Sequence, residues 1–159
     1  MARNGEREVR RFFEAAGLRK EILRFPESTH DSESAARSLG VEPGRIAKTI
    51  LFLADASPVA VVVSGDRRVD LKKVRSLGHG RNVRLAGAGD VTALTGFAVG
   101  AVSPVALPPG IPLYLDRSLR RFPVIYPAAG ETDCMFATTP DELAALTGGR
   151  EADLSRDDG

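Results

Sequence analysis

The sequence predicts a single mixed α/β domain, α+β-like in organisation, in which helices surround a mixed, largely antiparallel sheet. Three observations carry this expectation. A chain of 159 residues, 43% of them hydrophobic, is long enough to bury one full core and fits one compact domain. Helical and strand patterns interleave without a strict alternation of one each. The two strongest apolar runs, Ile46–Leu53 and Val59–Val63, are separated only by a turn, a connection that joins antiparallel neighbours.

Taken in order, Val9, Phe12, Phe13 and Ala16 recur at helical spacing ahead of Gly17 and predict an opening helix with a glycine stop. A short extended piece follows from Ile22 to Phe25. The polar stretch Ser28–Ser32 supplies cap residues for a second helix through Ala35, Ala36 and Leu39, ended by Gly40. Read as a strand, the run from Ile46 places Ile46, Lys48, Ile50 and Phe52 on one face, and Ala47, Thr49, Leu51 and Leu53 on the other. Ala54–Pro58 turns the chain into the second strand. Asp66–Leu77 sets Val69, Leu71, Val74 and Leu77 among the basic residues Arg67, Arg68, Lys72, Lys73 and Arg75, the pattern of an amphipathic helix with a solvated basic face. Asn82–Leu85 reads as a short strand, and Gly89–Thr95 as a helix capped by Asp90 and stopped by Gly96. From Phe97 to Pro112, Pro104, Pro108, Pro109 and Pro112 with Gly100 and Gly110 forbid regular helix. Pro112–Leu115, Pro123–Tyr126 and Met135–Ala137 are expected as strands. Thr139, Pro140 and Glu142 form a capping box that starts a final helix running to Leu146 before Gly148. The domain is expected to span residues 1–148, with 149–159 a polar, frayed tail.

Composition narrows the function. With 22 Lys plus Arg against 21 Asp plus Glu the net charge is +1, so no overall field favours coating duplex nucleic acid or a membrane. The stretch Met1–Arg11 is charged throughout and no 18-residue apolar run occurs, which points to a cytoplasmic protein with no membrane partner. The single cysteine, Cys134, excludes an internal disulfide and a cysteine-built zinc site. There is no phosphate loop, GxSxG elbow, HExxH or paired CxxC, and neither Gly78–Gly80 nor Gly87–Gly89 follows a strong strand and opens a helix as a dinucleotide site requires. No cofactor and no metal are expected. His30 and His79 read as surface residues, and a Cys134–His79 nucleophile pair has no local motif behind it.

Two features remain. Lys48 shares a strand face with core residues, and an ammonium there must snorkel to water, pair with a carboxylate such as Asp70 or Asp116, or line a cleft that receives an anion. In Gly100-Ala101-Val102-Ser103-Pro104, a glycine permits positive φ and close approach while a proline fixes the far end. Between them the amides of Ala101, Val102 and Ser103 are candidates to converge on one oxygen.

The string Lys48-Thr49-Ile50-Leu51-Phe52, the segment Thr95-Gly96-Phe97 leading into the Gly100–Pro104 loop, Tyr114-Leu115-Asp116, and Ile125-Tyr126 followed by Ala129-Gly130 together resemble the YbaK/ProX family. Its members are free-standing relatives of the editing domain inserted in bacterial prolyl-tRNA synthetases and hydrolyse the ester of mischarged aminoacyl-tRNA. The similarity covers roughly Ile22 to Leu146. It implies that Lys48 meets a phosphate near the terminal adenosine of the tRNA 3′ end. Gly100 and the amides of Ala101, Val102 and Ser103 would hold the aminoacyl group, with Pro104 shaping the loop. Thr49 would sit beside the lysine, Asp116 and Gly130 would support the site, and Phe25 would cover it. Asp116, followed by Arg117 and Ser118, equally fits the cap of a next short helix.

Partners implied are the aminoacyl-tRNA 3′ end and an aminoacyl-tRNA synthetase. The amino acid removed would be small, Ala, Ser, Thr or Cys, on tRNA-Pro or a similar tRNA. Many relatives carry a second glycine where Ala101 stands, and cysteine-removing members tend to show a small polar residue and an aspartate at the positions of Ala128 and Met135, which weakens the case for cysteine. Two alternatives stand beside this reading: a non-catalytic module that binds aminoacyl-tRNA or a synthetase, and a metabolic hydrolase using Cys134 and His79.

Overall fold

The structure, a computed structural model, describes residues 5–26 and 31–157. Its centre is the expected hairpin. Strand β2 (Ile46–Ala54) runs antiparallel to β3 (Ser57–Ser64) in a register from Ala47 opposite Ser64 to Ala54 opposite Ser57. The turn residues Asp55 and Ala56 both have positive φ, 56° and 110°, the sense that a tight hairpin needs to follow the strand twist. Asp55 secures it by accepting the amides of Arg81 and Asn82 at 2.9 and 3.0 Å.

Around this hairpin the chain lays β5 (Val83–Leu85) antiparallel to β2, β6 (Leu113–Asp116) parallel to β3, β7 (Tyr126–Pro127) parallel to β2, and β9 (Arg150–Ala152) parallel to β6. The sheet is mixed, and its longest ladder is the antiparallel hairpin. Two smaller antiparallel pairs lie outside it: β1 (Leu23–Arg24) with β8 (Cys134–Met135), and β4 (Arg67–Val69) with β10 (Ser155–Asp157).

Alternation along the strands builds two cores. One face carries Ala47, Leu51, Leu53, Ala60, Val62, Leu113 and Leu115. It packs against Val9 and Phe13 of α1 (Glu6–Ala15), Val91 of α4 (Ala88–Thr95) and Leu143 of α5 (Pro140–Thr147). The other carries Phe52, Val59, Val61, Val63 and Tyr114 against β4 and Val74 of α3 (Leu71–Arg75). A third cluster joins Ala35 and Ala36 of α2 (Ser32–Leu39) to Ile46, Phe25 and Met135. Burial on both faces explains why the central strands read as continuous apolar runs.

Several expected elements take a different form. The segment 66–77 is divided, because the Asp70 side chain accepts the Lys72 amide at 3.0 Å and starts the helix only there, while Arg67–Val69 pair with the C-terminal strand. Helix α4 starts after Gly87, so Asp90 lies inside its first turn instead of capping it. Thr139 does cap α5, accepting the Glu142 amide at 3.0 Å. The Glu142 carboxylate bonds Thr138 and Lys20 rather than closing a capping box. The stretch after Gly148 is not frayed: β9 and β10 pair with β6 and β4, and Leu154 between them is 1% exposed. The composition of that stretch hid one buried leucine and a set of backbone ladders. The cap residues Ser28, Thr29 and His30 lie outside the described residues; within them, Asp31 caps α2 by accepting the Ser34 amide at 2.8 Å.

Candidate active site

The outer edge of β2 is paired discontinuously. Strand β7 takes Ile46 and Ala47, β5 takes Phe52 to Ala54, and the Ala86 amide donates to the Leu51 carbonyl at 3.0 Å. Residues 48–50 between them form a window in the sheet edge. The Ile46 carbonyl accepts from Gly65 on the β3 side, so strand alternation turns the N–H and C=O of Thr49 out into the window. The Thr49 hydroxyl is buried and has no hydrogen-bond partner among the described residues.

This window opens on a cavity of about 620 Å³, within the size range of small-molecule sites. Lys48, Thr49, Gly100 and Val102 line it, as do Asp31, Ser32 and Glu33 at the start of α2. Leu51, Ala86, Val91, Val99, Ala128 and Met135 make its wall largely apolar. The four expected site residues thus arrive from two elements far apart in sequence, the β2 window and the loop after α4.

The loop is fixed by local bonds. Gly96 closes α4 with a φ of 81°, and the Thr95 hydroxyl donates to the Val91 carbonyl at 2.6 Å and accepts the Phe97 amide at 3.1 Å. Gly100 has a φ of 85°, and the Ala101 amide donates to the Ala98 carbonyl at 3.0 Å. Glycine is therefore the third residue of a turn that demands positive φ. The Ala101 amide is spent in that turn, so it cannot join an oxyanion cradle as expected from sequence. No hydrogen bond engages the amides of Val102 or Ser103 among the described residues. Ala101, Ser103 and Pro104 are buried, and Pro104 opens a 3₁₀ turn over Pro104–Ala106; they shape the loop from behind the cavity wall.

Three more expected site residues, besides Ala101, Ser103 and Pro104, do not line the cavity. Phe25 is 7% exposed and packs with Ile46 and Met135, backing the wall. Gly130 lies under the start of α1, where an added Cβ would come within 2.5 Å of the Gly5 carbonyl carbon. Asp116 caps the 3₁₀ turn Arg117–Arg121, accepting the Ser118 amide at 3.1 Å. It also accepts the Leu154 amide and the Ser155 hydroxyl, each at 2.7 Å. Burial pushes the Asp116 carboxyl up, and the bonds from Ser118, Ser155 and Leu154 overcome this and hold it below the ordinary carboxylate range. Of its two sequence readings, the cap is the one realised.

The cysteine–histidine alternative has no geometry behind it. Cys134 is buried in the first core, its thiol 3.7 Å from the Ala129 carbonyl and pushed up in pKa by burial. His79 instead bonds the Tyr114 hydroxyl at 2.6 Å, against the second core. Among the described residues no group of three or more His, Cys, Asp or Glu could hold a metal ion. No helix there is long and apolar enough to cross a membrane. Sequence reasoning missed Asp31, Ser32, Glu33, Leu85, Ala86, Val91 and Val99. Only the fold brings them to one cavity, and no local motif marks them.

Several known proteins are similar to this chain in sequence and fold. YwhH of Bacillus subtilis is 33% identical over 140 residues, covering 87% of this chain and 88% of that protein. EbsC of Enterococcus faecalis, named as a candidate Cys-tRNA(Pro)/Cys-tRNA(Cys) deacylase, is 31% identical over 132 residues, 82% of this chain and 80% of that one. A proline–tRNA ligase of Desulfovibrio desulfuricans is 42% identical over 91 residues, which is 57% of this chain but 16% of the ligase. A solved structure described as a candidate trans-editing enzyme for prolyl tRNA synthetase superposes with a TM-score of 0.88 at 37% identity, covering 95% of this chain and 96% of that one. The model of the aminoacyl-tRNA editing domain matches residues 26–146, a span that contains the β2 window, the Gly100 loop and the whole cavity wall, and the chain belongs to that family.

Proposed function

We propose that the protein is a trans-editing deacylase that removes a small amino acid, of the class Ala, Ser, Thr or Cys, from mischarged tRNA-Pro or a similar tRNA in the cytoplasm. The observation that carries this reading is the cavity in which Lys48 and the Thr49 window of β2 meet Gly100 and Val102. Lys48 supplies a cation for a backbone phosphate of the 3′ end. Val102 lines the cavity, and its amide, which no hydrogen bond engages among the described residues, supports the ester carbonyl as its oxygen gains charge. Thr49 offers a hydroxyl and a backbone edge to the ribose or to the attacking water.

An aminoacyl ester is already activated. Positioning and preorganised donors supply several kcal/mol of barrier reduction without a histidine, and the ribose 2′-hydroxyl can assist in activating the water. Hydrolysis adds water across the acyl C–O bond and releases the free amino acid and the tRNA 3′-hydroxyl. The apolar wall formed by Ala128, Met135 and Val102 suits a small, weakly polar side chain. Pockets of this kind separate neighbours by about 1–3 kcal/mol per methylene, so selection among small residues is graded. The relatives named for prolyl-tRNA synthetase support a synthetase as a working partner.

The test is a panel of alanyl-, seryl-, threonyl- and cysteinyl-tRNA incubated with the protein and followed by loss of the ester. Turnover of at least one supports the reading. Tight binding of an uncleavable aminoacyl-adenosine analogue with no turnover of any ester would instead make the chain a non-catalytic binding module.

A further inference from the structure

Three ionisable side chains line the cavity: Asp31, Glu33 and Lys48. Asp31 is committed to α2, whose Ser34 amide it accepts at 2.8 Å. Glu33, in the first turn of the same helix, has no ion-pair or hydrogen-bond partner among the described residues. An aminoacyl-tRNA end presents two charges, a phosphodiester before the terminal ribose and the α-amino group beyond the ester. With a pKa of about 8 such an amine is mostly protonated at neutral pH. The cavity therefore offers one cation and one uncommitted carboxylate to a substrate that carries one anion and one cation. Besides these three the lining holds the neutral polar side chains of Ser32 and Thr49 and an apolar majority, so the two carboxylates are its anions, and Glu33 is the one that caps no helix.

Building on the deacylase reading, we propose that Glu33 binds the α-ammonium of the aminoacyl group, so that the site selects esters with a free amine over N-acylated or deaminated ones. Lys48 and Glu33 then act as two poles that set the polarity of the bound end. A reversed or N-blocked ester leaves the carboxylate facing a neutral group and loses a charge-assisted hydrogen bond. Peptidyl esters, whose α-amine is acylated, would be spared by the same device.

A purely structural role also exists for an acid in a helix first turn, where it complements the helix dipole; the experiment separates the two. The probes are the aminoacyl-tRNA turned over fastest in the panel above and the same tRNA carrying the matching α-hydroxy acid, lactate in the case of alanine. This exchange removes the charge without adding bulk. Each rate is divided by the uncatalysed hydrolysis of the same ester. The wild type is expected to favour the amine ester by about tenfold or more, the scale of one charge-assisted bond. Glu33→Gln should lose that factor on the amine ester and leave the hydroxy ester unchanged, and the hydroxy-ester rate itself reports an intact fold. Equal losses on both esters, or a wild type indifferent to the amine, overturn the proposal while leaving the deacylase reading standing. A wild type that hydrolyses no ester overturns both.

Discussion

Lys48 and Asp116 are both charged residues set among apolar strand neighbours, and strand alternation puts them on the same face of one sheet. Their surroundings differ in kind. Asp116 is 1% exposed, and its two carboxylate oxygens accept hydrogen bonds from Ser118, Leu154 and Ser155. Lys48 is half-buried on a cavity wall, next to a buried Thr49 hydroxyl that has no partner among the described residues. A buried polar group whose bonds are all met within the chain holds the fold together. The Thr49 hydroxyl, unmet among the described residues at the edge of a cavity, is open to a group that arrives later.

Substitutions should sharpen this contrast. Lys48→Ala is expected to lower kcat/KM for aminoacyl-tRNA by about 100-fold or more, with a thermal midpoint close to that of the wild type; a variant that unfolds instead would move Lys48 into the structural class. Asp116→Ala should do the reverse. It leaves two amides and a hydroxyl without their acceptor and costs about 2–4 kcal/mol in urea unfolding, with activity retained where the protein is still folded. The same carboxylate sets a pH dependence. Its folded pKa lies below the ordinary value of 3.8, so the unfolded chain binds the proton first on acidification. Its contribution is full at neutral pH and is lost as pH falls below about 4 through the folded pKa. Asp116→Asn should flatten that part of the acid-unfolding curve.

Two of the positive-φ glycines, Gly130 and Gly100, divide in the same way. At Gly130 an added Cβ meets Gly5 backbone atoms at 2.5 and 2.6 Å. Gly130→Ala should therefore displace the start of α1 and destabilise by about 2 kcal/mol or more. At Gly100 the nearest atom would be the Thr132 Cγ2 at 3.8 Å, so Gly100→Ala carries only a backbone cost of about 1 kcal/mol. Its larger effect is expected on kcat, measured by single-turnover deacylation, through tilting of the Val102 amide. Smallest in stability is Thr49→Val, which removes an unpartnered hydroxyl at nearly constant shape. Unfolding free energy should stay within about 1 kcal/mol of the wild type while turnover falls. Unchanged turnover would mean that the hydroxyl faces an idle part of the cavity.

How much of this was legible in the sequence follows from what each signal depends on. The hairpin, its two faces, the glycine stops at Gly40, Gly96 and Gly148 and the Thr139 cap rest on neighbours in the chain, and all appear in the structure. The division at Asp70 and the pairing of residues 150–157 depend on strands that meet across the fold, so local patterning read one as a helix and the other as a tail. For the site, Lys48 and the Gly100 loop were marked by residues out of keeping with their surroundings, a charge in an apolar run and a glycine before a proline. Glu33 carried no such mark, because a glutamate in a first helical turn is ordinary. Asp116 and Gly130 did look unusual, but for reasons of folding: one ties the C-terminal strand to β6, and the other lets α1 pass close to the chain.

The central claim, that Lys48 holds the substrate by its phosphate and leaves bond breaking to the loop and the water, is tested most directly by changing the substrate rather than the protein alone. Wild type and Lys48→Ala should be compared on an aminoacyl-tRNA and on the same amino acid esterified to adenosine, which lacks the phosphate. A large loss on the tRNA that shrinks to within a few-fold on the adenosine ester is the predicted result. An equally large loss on both would contradict it and place Lys48 at the ester itself.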